Sequence, residues 1–292
     1  MKRNHPAMPE AQERTGINFD LSPQALARWN PSLAATDGEA ENSINILDQI
    51  GMDFWTGEGT TAKRISAALR SIGADKNVTV NINSPGGSAI EGIAIYNLLR
   101  MHKGQVTVRI LGMAASAASV IAMAGDEIQI ARSAWLMVHN NFIAAYGNRN
   151  DFRDVADWLE PFDRAAADLY AERTGIEKDK IAELMDKETW IGGSDAVDNG
   201  WADCLLEPDK IGQSADGSQQ SAIRRLDALL AKTGLPRSER KKLFQEIKSG
   251  TPSAAGDGTP AAAVTGTPGA ALPFAIGSAA SLSASLPGIF AR

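Results

Sequence analysis

Ser116 stands between an apolar run, Val106 to Leu111, and a stretch of small residues containing Ala117, Ala118, Ile121, Ala122 and Ala124. A hydroxyl at the start of such a stretch has two uses. It can cap a helix by accepting from a first-turn N–H. It can also act as a nucleophile, because free N–H groups and the positive helix end lie beside it and would stabilise an oxyanion. Nucleophilic use demands a base within hydrogen-bond reach and donors for that oxyanion. The chain offers three histidines as the base, His5, His102 and His139. His5 falls in a polar, irregular stretch. His102 follows a helix end beside Lys103 and reads as a solvated surface residue. His139 ends the apolar strand Ala134 to Val138, which places it at the rim of a sheet, where the sites of α/β folds gather. It is either a base or a hydrogen-bonded structural histidine. Gly86-Gly87 can turn backbone N–H groups into a cleft. A phosphate-binding loop reads similarly, but no Walker lysine or Rossmann glycine spacing surrounds the pair. Ser119 is a second candidate hydroxyl, placed inside the packed helix where serine usually bonds back to a carbonyl.

Elements that could hold these residues follow in chain order. Residues 1–42 are polar and rich in proline, and read as a flexible arm that Trp29 anchors locally. Residues 43–207 carry the globular pattern. Ile44, Ile46 and Ile50 begin it as a strand. Thr60 or Thr61 caps a helix through Ile72, ended by Gly73. Val78, Val80 and Ile82 form a strand, and a helix runs from Ile90 to Met101. The strand Val106 to Ile110 should turn sharply at Gly112 into the small-residue helix. Short strands follow at Asp126 to Ala131 and Ala134 to Val138. A long amphipathic helix spans Asn150 to Arg173, then helices at Lys178 to Asp186 and Ser194 to Asn199, and a last strand at Trp201 to Leu206. Strand-helix alternation of this kind predicts an α/β fold with right-handed βαβ crossovers on a largely parallel sheet. Residues 208–248 read as a polar linker with two short amphipathic helices, Ala222 to Lys232 and Arg237 to Lys248. Residues 249–292 read as a disordered tail rich in Ala, Gly, Ser and Pro.

Composition narrows the function classes. A net charge of −6 argues against a general nucleic-acid binder. The single cysteine, Cys204, excludes an intrachain disulfide, and with three histidines it leaves no dense metal-ligand spacing. No cofactor or metal is expected. The N-terminus has no apolar signal core, and the least polar tail segment, Leu272 to Phe290, is broken by Pro273 and Pro287. A soluble cytoplasmic protein with no membrane partner is the expectation.

Four blocks then stand in a telling order: Asn83-Ser84-Pro85-Gly86-Gly87; Gly112 to Ala118 around Ser116; Leu136-Met137-Val138-His139; and Glu188-Thr189-Trp190-Ile191 with Ala196 to Asp203. In order and spacing they resemble the Clp protease proteolytic subunit, over about residues 44–206. The wording DFWTGEGTTAK, INSPGG, AASAASVIAMAGDE and ETW is most similar to phage and prophage Clp-like head maturation proteases. The resemblance implies Ser116 as nucleophile, His139 as general base, and an oxyanion hole from the backbone N–H groups of Gly87 and Ala117, with Gly86 shaping the turn. The family's acid is usually aspartate; here that place falls on Glu188, with Asp186 as the alternative and a Ser-His dyad also open. The implied fold is a crotonase-like spiral of βαβ units with a protruding long helix, which the Asn150 to Arg173 segment fits. Implied partners are protein substrates, further copies of the chain in a ring, capsid or scaffold proteins inside a procapsid, and a Clp-type unfoldase. The rivals are a crotonase-fold acyl-CoA enzyme and a catalytically degenerate ring-forming subunit. A Ser-Lys signal-peptide-peptidase type would need a membrane anchor.

Overall fold

The computed structural model describes residues 17–35, 42–52, 59–207 and 211–213, and, in the C-terminal part, 226, 229, 230, 233, 235 and 237–250. The expectations for residues 1–16 (His5 included), for most of the 214–236 stretch and for 251–292 lie outside these described residues. Residues 1–250 cluster as one unit.

The first elements are β1 (Ile17–Phe19), α1 (Pro23–Arg28), β2 (Leu33–Ala35), β3 (Ser43–Ile46), β4 (Gly51–Met52), β5 (Gly59–Thr60) and α2 (Ala62–Ile72). The central set is β6 (Val78–Ser84), α3 (Ala89–Met101), β7 (Val106–Ala115), α4 (Ala117–Ala122), β8 (Glu127–Ala131), β9 (Trp135–Val138) and β10 (Ile143–Ala145). Then come α5 (Arg149–Thr174), α6 (Lys178–Asp186), β11 (Thr189–Gly192), α7 (Gly193–Asp198), β12 (Cys204–Leu206), β13 (Ile211–Gln213) and α8 (Arg237–Gly250).

The main sheet has seven strands, ordered β11-β9-β7-β6-β3, with β8 and β12 branching from β7. All neighbours are parallel except β11, which runs antiparallel to β9. The class is therefore α/β, as the alternating pattern predicts. Strand β7 forks the sheet: Thr107 to Ile110 pair with β8, and Met113 to Ala115 pair with β9. Its side chains explain the geometry. Val106, Val108 and Ile110 are fully buried, while Thr107 and Arg109 between them are only partly so. Each such apolar side chain contributes on the order of 2 kcal/mol by leaving water. From Met113 onward both faces are buried, because a second apolar cluster, Ala25, Leu26 and Trp29 with Met113, Ala115 and Met137, covers the far side.

Three expectations need correction. The turn expected at Gly112 does not occur; β7 runs through it to Ala115, and the helix after it is shorter. Gly112 is needed for space instead: a Cβ there would lie 2.7 Å from Leu33 Cδ1 and 2.8 Å from Asn83 Oδ1. His102 is not a solvated surface residue. It caps α3 while buried, with Nε2 2.7 Å from the Lys76 carbonyl oxygen. The 17–35 part of the expected arm holds two strands and a helix. β1 pairs with β10, and Ser22 caps α1 ahead of Pro23 at its first position. β2 pairs with β13, inside the stretch expected as a linker.

The helix caps read from sequence are present, with Thr61 accepting from the Arg64 N–H of α2 and Gly73 closing it. The long helix α5 begins in a capping box at Asn148 and Asp151 and ends on left-handed Gly175. Its first turns are exposed, Phe152 half so, while Trp158 farther along packs on Phe19.

Candidate active site

The sharp turn that Gly112 does not make falls on Ser116. Its backbone stands at φ 56 and ψ −126, one of only two positive-φ non-glycine residues among those described. Such a conformation costs about 1–3 kcal/mol and persists only where neighbours enforce it. Here they do. The Ser116 N–H donates to the Met137 carbonyl at 3.0 Å, and the Ser116 carbonyl accepts from the N–H groups of Ser119 and Val120. The side chain makes no capping bond. Its Oγ lies 2.7 Å from His139 Nε2 instead, so the hydroxyl is aimed at a base rather than at its own helix. Ser119 back-bonds, donating to the Ser116 carbonyl at 2.6 Å, with Oγ also 2.7 Å from the Tyr170 hydroxyl. It is buried and does not face His139.

His139 arrives one residue beyond β9, whose pairing with β7 at Ala115–Met137 sets its distance from Ser116. The imidazole is almost entirely enclosed. Burial pulls its pKa below the ordinary 6.5, and the Glu188 charge pushes partly back up. The ring is therefore neutral, and able to accept a proton, at neutral pH.

Glu188 is the second positive-φ residue, at φ 47. Its Oε2 stands 3.9 Å from His139 Nδ1, an electrostatic contact longer than a hydrogen bond. Two donors fix the carboxylate: Ser22 Oγ–H to Oε2 at 2.9 Å and Trp190 Nε1–H to Oε1 at 3.2 Å. Asp186 is occupied elsewhere, accepting from Asn140 Nδ2 at 2.7 Å. Asp163 accepts from both the backbone N–H and the side chain of Asn141, at 2.7 and 2.6 Å. The two asparagines after His139 are thus each tied to a carboxylate from another element.

Gly86 packs directly on the Ser116 turn, and Gly87 follows it against Ile50. Their φ values are +95 and +142, and a Cβ at Gly86 would lie 2.6 Å from the Ala115 carbonyl, at Gly87 2.2 Å from that of Ile50. Only glycine fits either place. The bridge to Ile50 uses the Gly86 carbonyl and the Ser88 N–H, at 2.7 and 3.0 Å, which leaves the Gly87 N–H out of that ladder. The Ala117 N–H, at the first position of α4, has no intrahelical acceptor. Beside Ser116, Ala117 and His139 opens a cleft of about 390 Å³, a figure that includes the open space at its mouth. Ala89, Ile93, Val120, Phe162 and Ala166 give it an apolar wall. Among the described residues no group of three His, Cys, Asp or Glu side chains is placed to hold a metal ion, and no helix is long and apolar enough to cross a membrane.

Ser22, Trp190, Tyr170 and the Asn140–Asp186 and Asn141–Asp163 pairs escape sequence reasoning. One signal was available: Ser22-Pro23 is a helix-start pair.

The sequence model of the Clp protease family matches residues 56–209, more than half of the 292-residue chain. The chain is 29% identical over 198 residues to the ATP-dependent Clp protease proteolytic subunit 2 of Bifidobacterium longum, a match covering 64% of this chain and 96% of that protein. It is 31% identical over 152 residues to proteolytic subunit 1 of Prochlorococcus marinus, covering 50% and 78%. It is 30% identical over 175 residues to the proteolytic subunit of Bacteroides fragilis, covering 56% and 84%. Among solved structures, a mutant ClpP1 from Listeria monocytogenes is similar with a TM-score of 0.47 at 24% identity, over 57% of this chain and 92% of that one. The serine turn, the histidine rim, the glycine pair and the carboxylate at Glu188 all fall inside the matched span, and this chain belongs to the Clp protease family.

Proposed function

We propose that this protein is a serine endopeptidase in which Ser116, His139 and Glu188 act together. The observation that carries this reading is the 2.7 Å contact between Ser116 Oγ and a buried, neutral His139 Nε2. His139 removes the hydroxyl proton as Oγ attacks the substrate carbonyl carbon. The developing oxyanion takes hydrogen bonds from the Gly87 and Ala117 amides. The Ser116 amide is already committed to Met137 and takes no part. Glu188 stabilises the imidazolium that forms. His139 then returns the proton to the leaving amine, and the acyl-serine is hydrolysed by water through the same steps. The apolar cleft wall supports a preference for an apolar side chain on the acyl side of the cut bond.

Phe142 and Tyr146, which flank β10, and Phe152 at the start of α5 are exposed, which supports assembly of several copies into a ring. Relatives are named ATP-dependent. Acyl transfer by this chain consumes no nucleotide, so a Clp-type unfoldase would serve only to deliver folded substrates. The motif wording supports a head maturation protease that cleaves scaffold and capsid proteins, working in a host cytoplasm or procapsid interior.

The test is Ser116→Ala beside the wild type. A fluorophosphonate probe should label Ser116, and the variant should lose both labelling and peptide-bond cleavage while keeping its assembly state. Cleavage that survives the substitution removes the assignment. Absent labelling together with acyl-CoA turnover would favour the crotonase-type rival. Cleavage of co-expressed capsid or scaffold chains tests the maturation role.

A further inference from the structure

Glu188, one residue ahead of β11, is held beside His139 by Trp190 on that strand and by a residue far from it in sequence. Its Oε2 is shared: 2.9 Å to the Ser22 hydroxyl and 3.9 Å to His139 Nδ1. Ser22 lies 166 residues away in sequence, outside the span that matches the protease family, and is 1% exposed. Its hydroxyl has one proton to give, and the carboxylate is the acceptor within reach; in the other direction Oγ accepts from the Ala25 N–H as the cap of α1. The rest of the segment is fixed to the strands that bear the site. Trp29 Nε1 donates to the Asn83 carbonyl at 3.0 Å, three residues before Gly86. Asn83 Nδ2 donates back to the carbonyls of Asn30 and Leu33. Ala25, Leu26 and Trp29 pack on Ala115 and Met137, the neighbours of Ser116 and His139. Arg28 stands 4.3 Å above the Trp190 ring, whose Nε1 holds the other oxygen of Glu188.

We propose that Ser22 is a positioning residue of the active site, holding the Glu188 carboxylate beside His139 from a segment that precedes the protease core. The inference rests on the Ser116–His139–Glu188 reading above. Without the hydroxyl, the carboxylate keeps only the Trp190 bond and can swing toward water. The imidazolium formed during acyl transfer then loses stabilisation, while substrate binding in the cleft is untouched. Other ionisable groups near the ring do not substitute: Asp186 is bonded to Asn140 and Asp163 to Asn141. On the Ser22 side, Asp20 accepts from the Leu21 N–H and Arg28 lies on Trp190.

The experiment uses the full chain with Ser22→Ala, Ser22→Gly and Ser22→Thr, each also made in Glu188→Gln. Glycine keeps most of the capping stability, so it serves where alanine fails to fold. Expected for Ala and Gly is a kcat about tenfold lower at unchanged KM, the scale of one bond to a charged group; Thr should restore activity. In the Glu188→Gln background the Ser22 substitutions should cost nothing further, because the two act through one path. The three histidines also permit a direct reading by NMR. The His139 pKa should fall in Ser22→Gly, stay put in Ser22→Thr, and not respond to Ser22 once Glu188 is gone. Wild-type kcat and titration in Ser22→Gly, or an equal loss with and without Glu188, would overturn the proposal. If the wild type shows no Ser116-dependent cleavage, the enzymatic reading fails, and the His139 titration still decides whether Ser22 acts through Glu188.

Discussion

Replacing Glu188 by Gln gives the sharpest test of the electrostatics, because two consequences run in opposite directions. The carboxylate stands 3.9 Å from His139 Nδ1, with the glutamate side chain 23% exposed and the histidine 7%. Two unit charges at that separation interact by about 1 kcal/mol in water and about 4 kcal/mol at an effective dielectric constant near 20. The partial exposure of Glu188 places the pair between these limits, at about 2–3 kcal/mol. Loss of that stabilisation from the imidazolium lowers kcat by about 30- to 150-fold. Glutamate also raises the His139 pKa against the depressing effect of burial. Removing it lowers that pKa further, so the ring stays neutral to more acid pH. The acid limb of the kcat/KM profile should therefore move to lower pH even as the plateau drops. Aspartate at 188 withdraws the charge by about 1.5 Å, one C–C bond, and should fall between the two. The assay is hydrolysis of a fluorogenic peptide across pH 4 to 8, conditions spanning roughly both sides of the ordinary histidine value. An unchanged plateau, or an acid limb moving upward, would refute the assignment of Glu188 as the partner of His139.

Gly87→Ala should cost about 3 kcal/mol in urea unfolding, since the new Cβ overlaps the Ile50 carbonyl at a φ of +142; a loss below about 1 kcal/mol would mean that the turn relaxes freely. Tyr170→Phe removes a hydroxyl bonded to Ser119 Oγ and should cost about 1 kcal/mol while cleavage persists, because Ser119 keeps its bond to the Ser116 carbonyl. His139 should also make folding sensitive to acid. Its folded pKa lies below 6.5, so the unfolded chain binds the proton more readily. Stability should fall as pH drops from about 6.5 toward the folded value and flatten below it. His139→Gln should lack that step when melting temperature is followed against pH.

Strand edges and caps were legible because their causes are local. Alternating β-branched residues wrote β6 and the first half of β7, and Thr61 and the Gly73 stop wrote α2, whereas the Ser88 cap of α3 went unread. Ser116 and His139 were legible as candidates from residue type and place, and their proposed roles came from the family resemblance; their 2.7 Å contact was not legible, since it depends on the pairing of β7 with β9. Ala114 and Ala115 were not legible either, since alanine suits either state and the decision lies in pairing with Leu136 and Met137 on β9. His102 looked solvated from its charged neighbour, whereas its partner is a carbonyl 26 residues away. Which of Glu188 and Asp186 faces His139 could not be read, because two residues of separation say nothing of direction; Asp186 is bonded to Asn140, and Glu188, on a left-handed backbone, lies 3.9 Å from His139 Nδ1. Helix α1 has six residues, too few for a periodic signature, and the core residues it packs on, Met113, Ala115 and Met137, are remote in sequence.

The β2–β13 ladder bears on how this protein should be trimmed. Ile211, Gly212 and Gln213 pair with Ala35, Ala34 and Leu33, so a backbone stretch beyond the protease core is stitched to one ahead of it. A shortened version that stops at Leu206, the end of β12, would strip hydrogen bonds from the same lead-in that carries Asn30 and Leu33 to Asn83. Its weakened turnover would then be mistaken for a role of the distal tail. Ending the chain after Gln213 instead keeps that stitch and lets the tail be judged on its own.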